Sequence, residues 1–270
     1  MSRIGDTFAH LGERGEGALI LFTVAGHPGI ETSAELLVAI ADAGADIIEL
    51  GIPFSDPLAD GAAIQAASQR ALGNGVGTRD VLAMAAAFRA GRDTPLVLMT
   101  CYNLICQFGL REFGRDSAAA GVDGVIVTDL PPEESGEWVG VAGANNLDTI
   151  FLLAPTSSAE RTKKVVDLAT GFVYCVSRMG VTGVRDEVPA DLEDLVRRIR
   201  QQTDKPIAVG FGIARPAHVA EVCGLANGAV VGSALVSLID RERGSQDLTR
   251  TVAGFVAELK AATRGRREGS

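Results

Sequence analysis

Glu49 stands alone among apolar neighbours in the stretch DIIELGIPFSDPLADG, residues 46–61, and Asp56 and Asp60 follow it in a turn carrying Pro53 and Pro57. Two-residue alternation puts Ile48, Leu50 and Ile52 on one face of a strand and Ile47, Glu49 and Gly51 on the other. A carboxylate in such a setting is either partnered or held neutral well above its usual pKa, and the second case suits it to proton transfer near neutral pH. The prolines fix φ locally, so Asp56 and Asp60 are held in place. Each acid also has a plainer reading. Glu49 could pair with a buried arginine for structure alone, and Asp60, just before Gly61 and an Ala-rich run, could cap the next helix.

Further polar positions fall where apolar runs end. Asp129 precedes Pro131 and Pro132 and reads as a loop cap or a substrate contact, while Tyr174 lies inside an apolar run, where an aromatic residue is commonly core. SRMGVTGVRDEV, from Ser177, is a polar, glycine-punctuated loop long enough to act as a lid. Gly210 and Gly212 flank Phe211, and Gly232 with Ser233 ends the last apolar run. Two such turns can present backbone N–H groups to an anion such as phosphate; tight turns are the alternative.

The elements that must position these residues alternate regularly. Strands are predicted at Ala18–Val24, Asp46–Ile52, Pro95–Tyr102, Gly124–Leu130, Thr149–Ala154, Gly171–Ser177, Pro206–Phe211 and Ala229–Gly232. Helices are predicted between them, one of them opened by a Thr32/Glu35 capping box and another with Pro216 in its first turn. An amphipathic segment, Ile4–Leu11, is expected to close the bottom of the domain. Eight βα units with strands apolar on both faces predict an α/β fold: a single parallel eight-stranded β/α (TIM) barrel with an extra N-terminal helix, spanning residues 1–270, with a solvated basic tail from about residue 264. An open doubly wound sheet is the alternative. In a barrel the chemistry lies at the C-terminal ends of the strands, where the residues singled out above fall.

Composition agrees with this. The chain has 270 residues, 47% hydrophobic and 22% charged, and carries a formal charge of −9. That balance argues against a nucleic-acid or anionic-membrane surface as partner, so an anionic substrate would need a local nest of amides. Cys101, Cys106, Cys175 and Cys223 include no CxxC pair and His10, His27 and His218 are scattered, which reads as buried free thiols in a reducing, cytoplasmic setting, without a metal site. Residue types alone lead to a barrel enzyme using carboxylates on a small phosphorylated substrate.

ELGIPFSDPLADG with Ile64 and Gln65 strongly resembles the signature of the tryptophan synthase alpha subunit family. The likeness continues through AGHPG (25–29), LMTCYN (98–103), TDLPPEES (128–135), LAPTS (153–157), SRMGVTG (177–183), GFGI (210–213) and GSA (232–234). The resemblance implies retro-aldol cleavage of indole-3-glycerol phosphate to indole and glyceraldehyde 3-phosphate. It implies Glu49 as general acid/base and Asp60 as holder of the indole N–H. For the indole slot the candidates are Phe22, Leu98, Tyr174 and Phe211, with Asp129 and Thr182 as further substrate contacts. The phosphate falls to amides at Gly183, Gly212, Gly232 and Ser233. It further implies a heterotetramer with a beta subunit, which carries the pyridoxal phosphate; no cofactor is expected in this chain. Val24, His27, Cys101 and Ala62 depart from the usual Thr, Asp, Tyr and Pro of the family. Those departures keep two alternatives open: a stand-alone lyase releasing free indole, and a non-catalytic phosphate-binding regulatory barrel.

Overall fold

In the computed structural model, which describes residues 2–56, 60–176, 190–210 and 212–264, the strands close into one barrel in the order β1 to β8, every neighbouring pair parallel. They are β1 (Ala18–Val24), β2 (Ile47–Gly51), β3 (Leu96–Thr100), β4 (Gly124–Val127), β5 (Asp148–Leu153), β6 (Val173–Val176), β7 (Ile207–Gly210) and β8 (Gly228–Val231). The alternating rhythm therefore corresponds to the β/α barrel, and the open doubly wound sheet is excluded.

Twelve helices are described: α1 (Arg3–Glu13), α2 (Ile30–Asp42), α3 (Ala62–Gly73), α4 (Thr78–Arg89), α5 (Tyr102–Phe108), α6 (Leu110–Ala119), α7 (Gly136–Ala144), α8 (Ala159–Leu168), α9 (Ala190–Arg200), α10 (Pro216–Leu225), α11 (Ser233–Glu242) and α12 (Leu248–Ala261). Two corrections concern their starts. Helix α2 begins at Ile30 behind Gly29, so Thr32 and Glu35 lie inside it and form no capping box. The run predicted as strand to Tyr102 stops at Thr100 and turns into α5.

Strand alternation divides the core into two layers. Inside the barrel, Ile20, Ile47, Val97, Ile126, Ile150 and Val230 pack together, while Leu21, Ile48, Leu50 and Leu98 face outward against the helices. Helix α1 closes the floor as predicted: Ser2 caps it by accepting from the Gly5 N–H, and Ile4, Phe8 and Leu11 join the interior layer, with Phe8 against Phe172.

The floor is stitched by side chains in a repeating way. The N–H of Leu19 donates to Asp46, that of Leu96 to Asp123, that of Thr149 to Thr170 and that of Ile207 to Asn227, at 2.7–3.0 Å. Each acceptor precedes an even-numbered strand, and each donor lies at the start of the odd strand before it. The acids at these positions are neutralised: Lys260 binds Asp46 at 2.8 Å, and Arg89 binds Asp123 at 2.6 Å with Arg3 on its other oxygen. Paired charge is thus concentrated at the N-terminal ends of the strands. The opposite end is built differently.

Candidate active site

Glu49 points into the barrel from the middle of β2, level with Phe22 on β1 and Val97 on β3. It is fully buried, and neither carboxyl oxygen has a hydrogen-bond partner among the described residues, so no arginine among them forms a structural ion pair with it. With nothing to compensate desolvation, its pKa is pushed from 4.5 up to about 8, and the group is mostly protonated at pH 7.

Asp60 lies half-buried at the loop end ahead of α3. That helix is capped by Gly61 with no side-chain bond, and among the described residues the main-chain carbonyl of Asp60 accepts from Gln65 Nε2 at 2.9 Å. Asp60 is therefore not the helix cap. Burial moves its carboxyl from 3.8 up to about 6, which leaves it largely ionised at pH 7. The two acids thus occupy opposite protonation states in the same site, the arrangement from which acid and base roles follow.

Both acids line one cavity of about 290 Å3 inside the C-terminal mouth of the barrel. Its walls are apolar, with Phe22, Ile64, Met99, Leu152, Tyr174 and Ile213 forming a slot suited to a flat ring. Gly212, Gly232 and Ser233 line the same cavity. Gly212 has φ +76°, a left-handed conformation that an L side chain strains to adopt. Ser233 is the first residue of α11, so that helix's first-turn N–H groups lack intrahelical acceptors beside the cavity, as an anion requires. The Tyr174 ring reaches the slot because Gly210 has no Cβ; one there would land on the Tyr174 hydroxyl.

The structure brings together Glu49, Asp60, Phe22, Tyr174, Gly212, Gly232 and Ser233, and it separates two others. Leu98 is buried in the outer layer against the helices, and the β2–β3 register puts Met99 opposite Gly51, so Met99 takes the lining position assigned to Leu98. Asp129 is exposed and its Oδ1 accepts from the Tyr102 N–H at 2.7 Å, which makes it the anchor of the α5 N-terminus. Thr182, Gly183 and Phe211 lie outside the described residues, as do Pro57, Arg178, the expected lid from Ser177 to Val188 and the tail beyond Arg264. The sequence reading names none of Ile64, Leu152 and Ile213 as lining: Leu152 is marked only by inward parity on β5, Ile213 by its place just past β7, and Ile64 by its place in the first turn of α3.

The positions that depart from the family pattern all lie near the mouth. Val24 is core and Ala62 opens α3. His27 is fully buried, with no hydrogen bond to either ring nitrogen among the described residues and 4.0 Å from Asp240, and burial lowers its pKa. Cys101 precedes α5, its thiol 3.8 Å from the Thr128 hydroxyl. No disulfide joins the four cysteines; Cys175 and Cys223 are buried, Cys101 is half-buried, and Cys106 is exposed on α5, contrary to the expectation of burial for all four.

Comparison with known proteins bears on the whole barrel. The family model described as tryptophan synthase alpha chain matches residues 8–264. The tryptophan synthase alpha chain of Geotalea uraniireducens is 46% identical over 264 residues, covering 98% of either chain, and that of Chloroflexus aggregans is 48% identical, covering 97% of this chain and 98% of the relative. Among solved structures, a Mycobacterium tuberculosis tryptophan synthase superposes with a TM-score of 0.91 at 37% identity, covering 98% of this chain and 99% of the other. An Aquifex aeolicus protein superposes at 0.90 with 39% identity, covering 98% and 100%.

Proposed function

The chain belongs to the tryptophan synthase alpha chain family, and on that premise we propose that Glu49 and Asp60 carry out the carbon–carbon cleavage of indole-3-glycerol phosphate within this barrel. The reaction is a retro-aldol lyase step of tryptophan biosynthesis, giving indole and glyceraldehyde 3-phosphate. The bond between the ring and the glycerol chain breaks only when the ring can accept its electron pair. Glu49, neutral at pH 7, delivers its proton to ring carbon 3. Asp60, ionised, accepts the ring N–H and stabilises the positive charge that develops there. The Glu49 carboxylate then takes the proton of the hydroxyl on the carbon attached to the ring. An aldehyde forms, the carbon–carbon bond breaks, its electrons return to the ring, and Glu49 is left protonated as it began.

The observation that carries this reading is the unpartnered, fully buried Glu49 opening into the same cavity as Asp60, Gly212, Gly232 and Ser233. The apolar slot takes the indole, and the two glycine turns take the phosphate at the far end. Thr182, Gly183 and Phe211 are proposed as further contacts from the family motif.

Alpha chains of this family work with a beta subunit in an α2β2 complex, and pyridoxal phosphate belongs to that partner; the acids here act without it. No helix among the described residues is long and apolar enough to cross a membrane. We place the enzyme in the cytoplasm and take residues 1–270 as one barrel domain.

Indole release from indole-3-glycerol phosphate tests the reading. Purified protein is expected to release indole slowly and to speed up when a cognate beta subunit is added. Glu49→Gln is expected to lower the rate by about 10^2–10^4-fold while substrate still binds. Release without acceleration would identify a stand-alone lyase, and binding without any turnover in the unmodified protein would leave a regulatory barrel.

A further inference from the structure

A second, smaller chamber of about 20 Å3 adjoins the main cavity, and the two share Phe22, Asp60, Ile64, Met99 and Thr128 as walls. Glu49 borders only the main cavity, whereas Gly51, Ile52, Phe54 and Cys101 border only the chamber. The chamber therefore lies on the far side of Asp60 from Glu49, toward the end of β2 and the start of α5. A single water needs about 10–15 Å3 of such space, so the chamber has room for about one heavy atom. Its lining mixes the Thr128 hydroxyl and the Cys101 thiol with apolar groups.

We propose that this chamber is a subsite for a one-heavy-atom substituent on carbon 7 of the indole ring, with Cys101 setting its size. The proposal rests on the roles given above to Glu49 and Asp60, since these orient the ring. With carbon 3 at Glu49 and the ring N–H at Asp60, carbon 2 lies between the two acids. Beyond the N–H, on the side away from carbon 3, comes the fusion carbon 7a, and carbon 7 bonded to it is the first position on that side able to carry a substituent, which then faces the chamber. A larger side chain in place of Cys101 would fill the space, because the thiol is its wall at the α5 end.

The reaction run backwards, condensing indoles with glyceraldehyde 3-phosphate, tests this with commercially simple rings. The unmodified protein is expected to use 7-methylindole with kcat/KM within about threefold of indole and to reject 7-isopropylindole by more than about a hundredfold, the scale on which a rigid pocket discriminates extra carbons. Cys101→Phe is expected to lower kcat/KM for 7-methylindole by more than about twentyfold while changing that for indole by less than about threefold. Cys101→Ala enlarges the chamber and is expected to raise the 7-ethylindole to indole ratio by about tenfold, so the proposal remains testable if the Phe variant does not fold. Rejection of 7-methylindole by the unmodified protein, or ratios that neither substitution moves, would overturn the subsite. Failure to condense indole itself would overturn the functional reading, and the subsite with it.

Discussion

Replacing Glu49 by Gln should make the ligand-free protein more stable while destroying its chemistry, and the gain should depend on pH in a defined way. The Glu49 carboxyl titrates at about 8 in the folded protein against 4.5 as a model group. Between those values the folded chain keeps a proton that the unfolded chain has lost, so folding stability falls as pH rises through that window. Each pH unit costs about 1.4 kcal/mol, which gives about 3 kcal/mol at pH 7 and about 5 kcal/mol above pH 8. Glutamine matches the neutral acid in shape and does not titrate, and Asp60 is common to both proteins and cancels in the comparison. Urea unfolding of both proteins at pH 5, 6, 7 and 8 should therefore show a difference in stability that is small at pH 5 and grows to about 3 kcal/mol at pH 7, or roughly 6–12 °C in Tm for a chain of this size. A difference that stays flat with pH, or a Gln variant less stable at pH 8, would mean that Glu49 is ionised and partnered in solution, and the assignment of acid and base would fail.

Other outcomes follow from the same geometry. The kcat/KM profile should be bell-shaped, rising as Asp60 ionises near 6 and falling as Glu49 deprotonates near 8, and Asp60→Asn should remove the acid limb in a pH series with indole-3-glycerol phosphate. Leu98→Ala should cost about 2–5 kcal/mol in denaturant unfolding with KM unchanged, because Leu98 fills the outer layer, whereas Met99→Ala should raise KM by about tenfold with a smaller loss of stability. Gly212→Ala forces a side chain into a left-handed conformation costing about 1–2 kcal/mol, and steady-state kinetics should show this mainly as a higher KM for the phosphorylated substrate.

The barrel was legible because eight apolar runs recur with helices between them, a rhythm that survives errors of two residues at each end. Glu49 was legible for a local reason: one charged residue in an apolar strand marks which parity matters, and the interior layer agrees with it. The strand at Leu96–Thr100 has no such marker. Leucine, valine and methionine occupy both of its faces, so only the pairing of Gly51 with Met99 shows that Met99 and not Leu98 lines the cavity. The short helix α5 was obscured because strand-like apolar residues run straight into it. Asp129 was ambiguous in kind: a carboxylate beside two prolines can serve a helix end or a ligand, and the α5 N-terminus that it holds was itself hidden in the predicted strand.

The side-chain stitches along the floor join β1 to β2, β3 to β4, β5 to β6 and β7 to β8. Each two-strand module therefore carries its own register pin, and none of these pins crosses from one module to the next. A polypeptide divided between β4 and β5 keeps every pin within one half, so the halves can each set their strand alignment before they meet. A division between β3 and β4 would part Leu96 from Asp123 and leave a strand start to find its register across a gap. The closed ring thus has seams, and they mark where this chain could be cut, reassembled or exchanged with a related half-barrel.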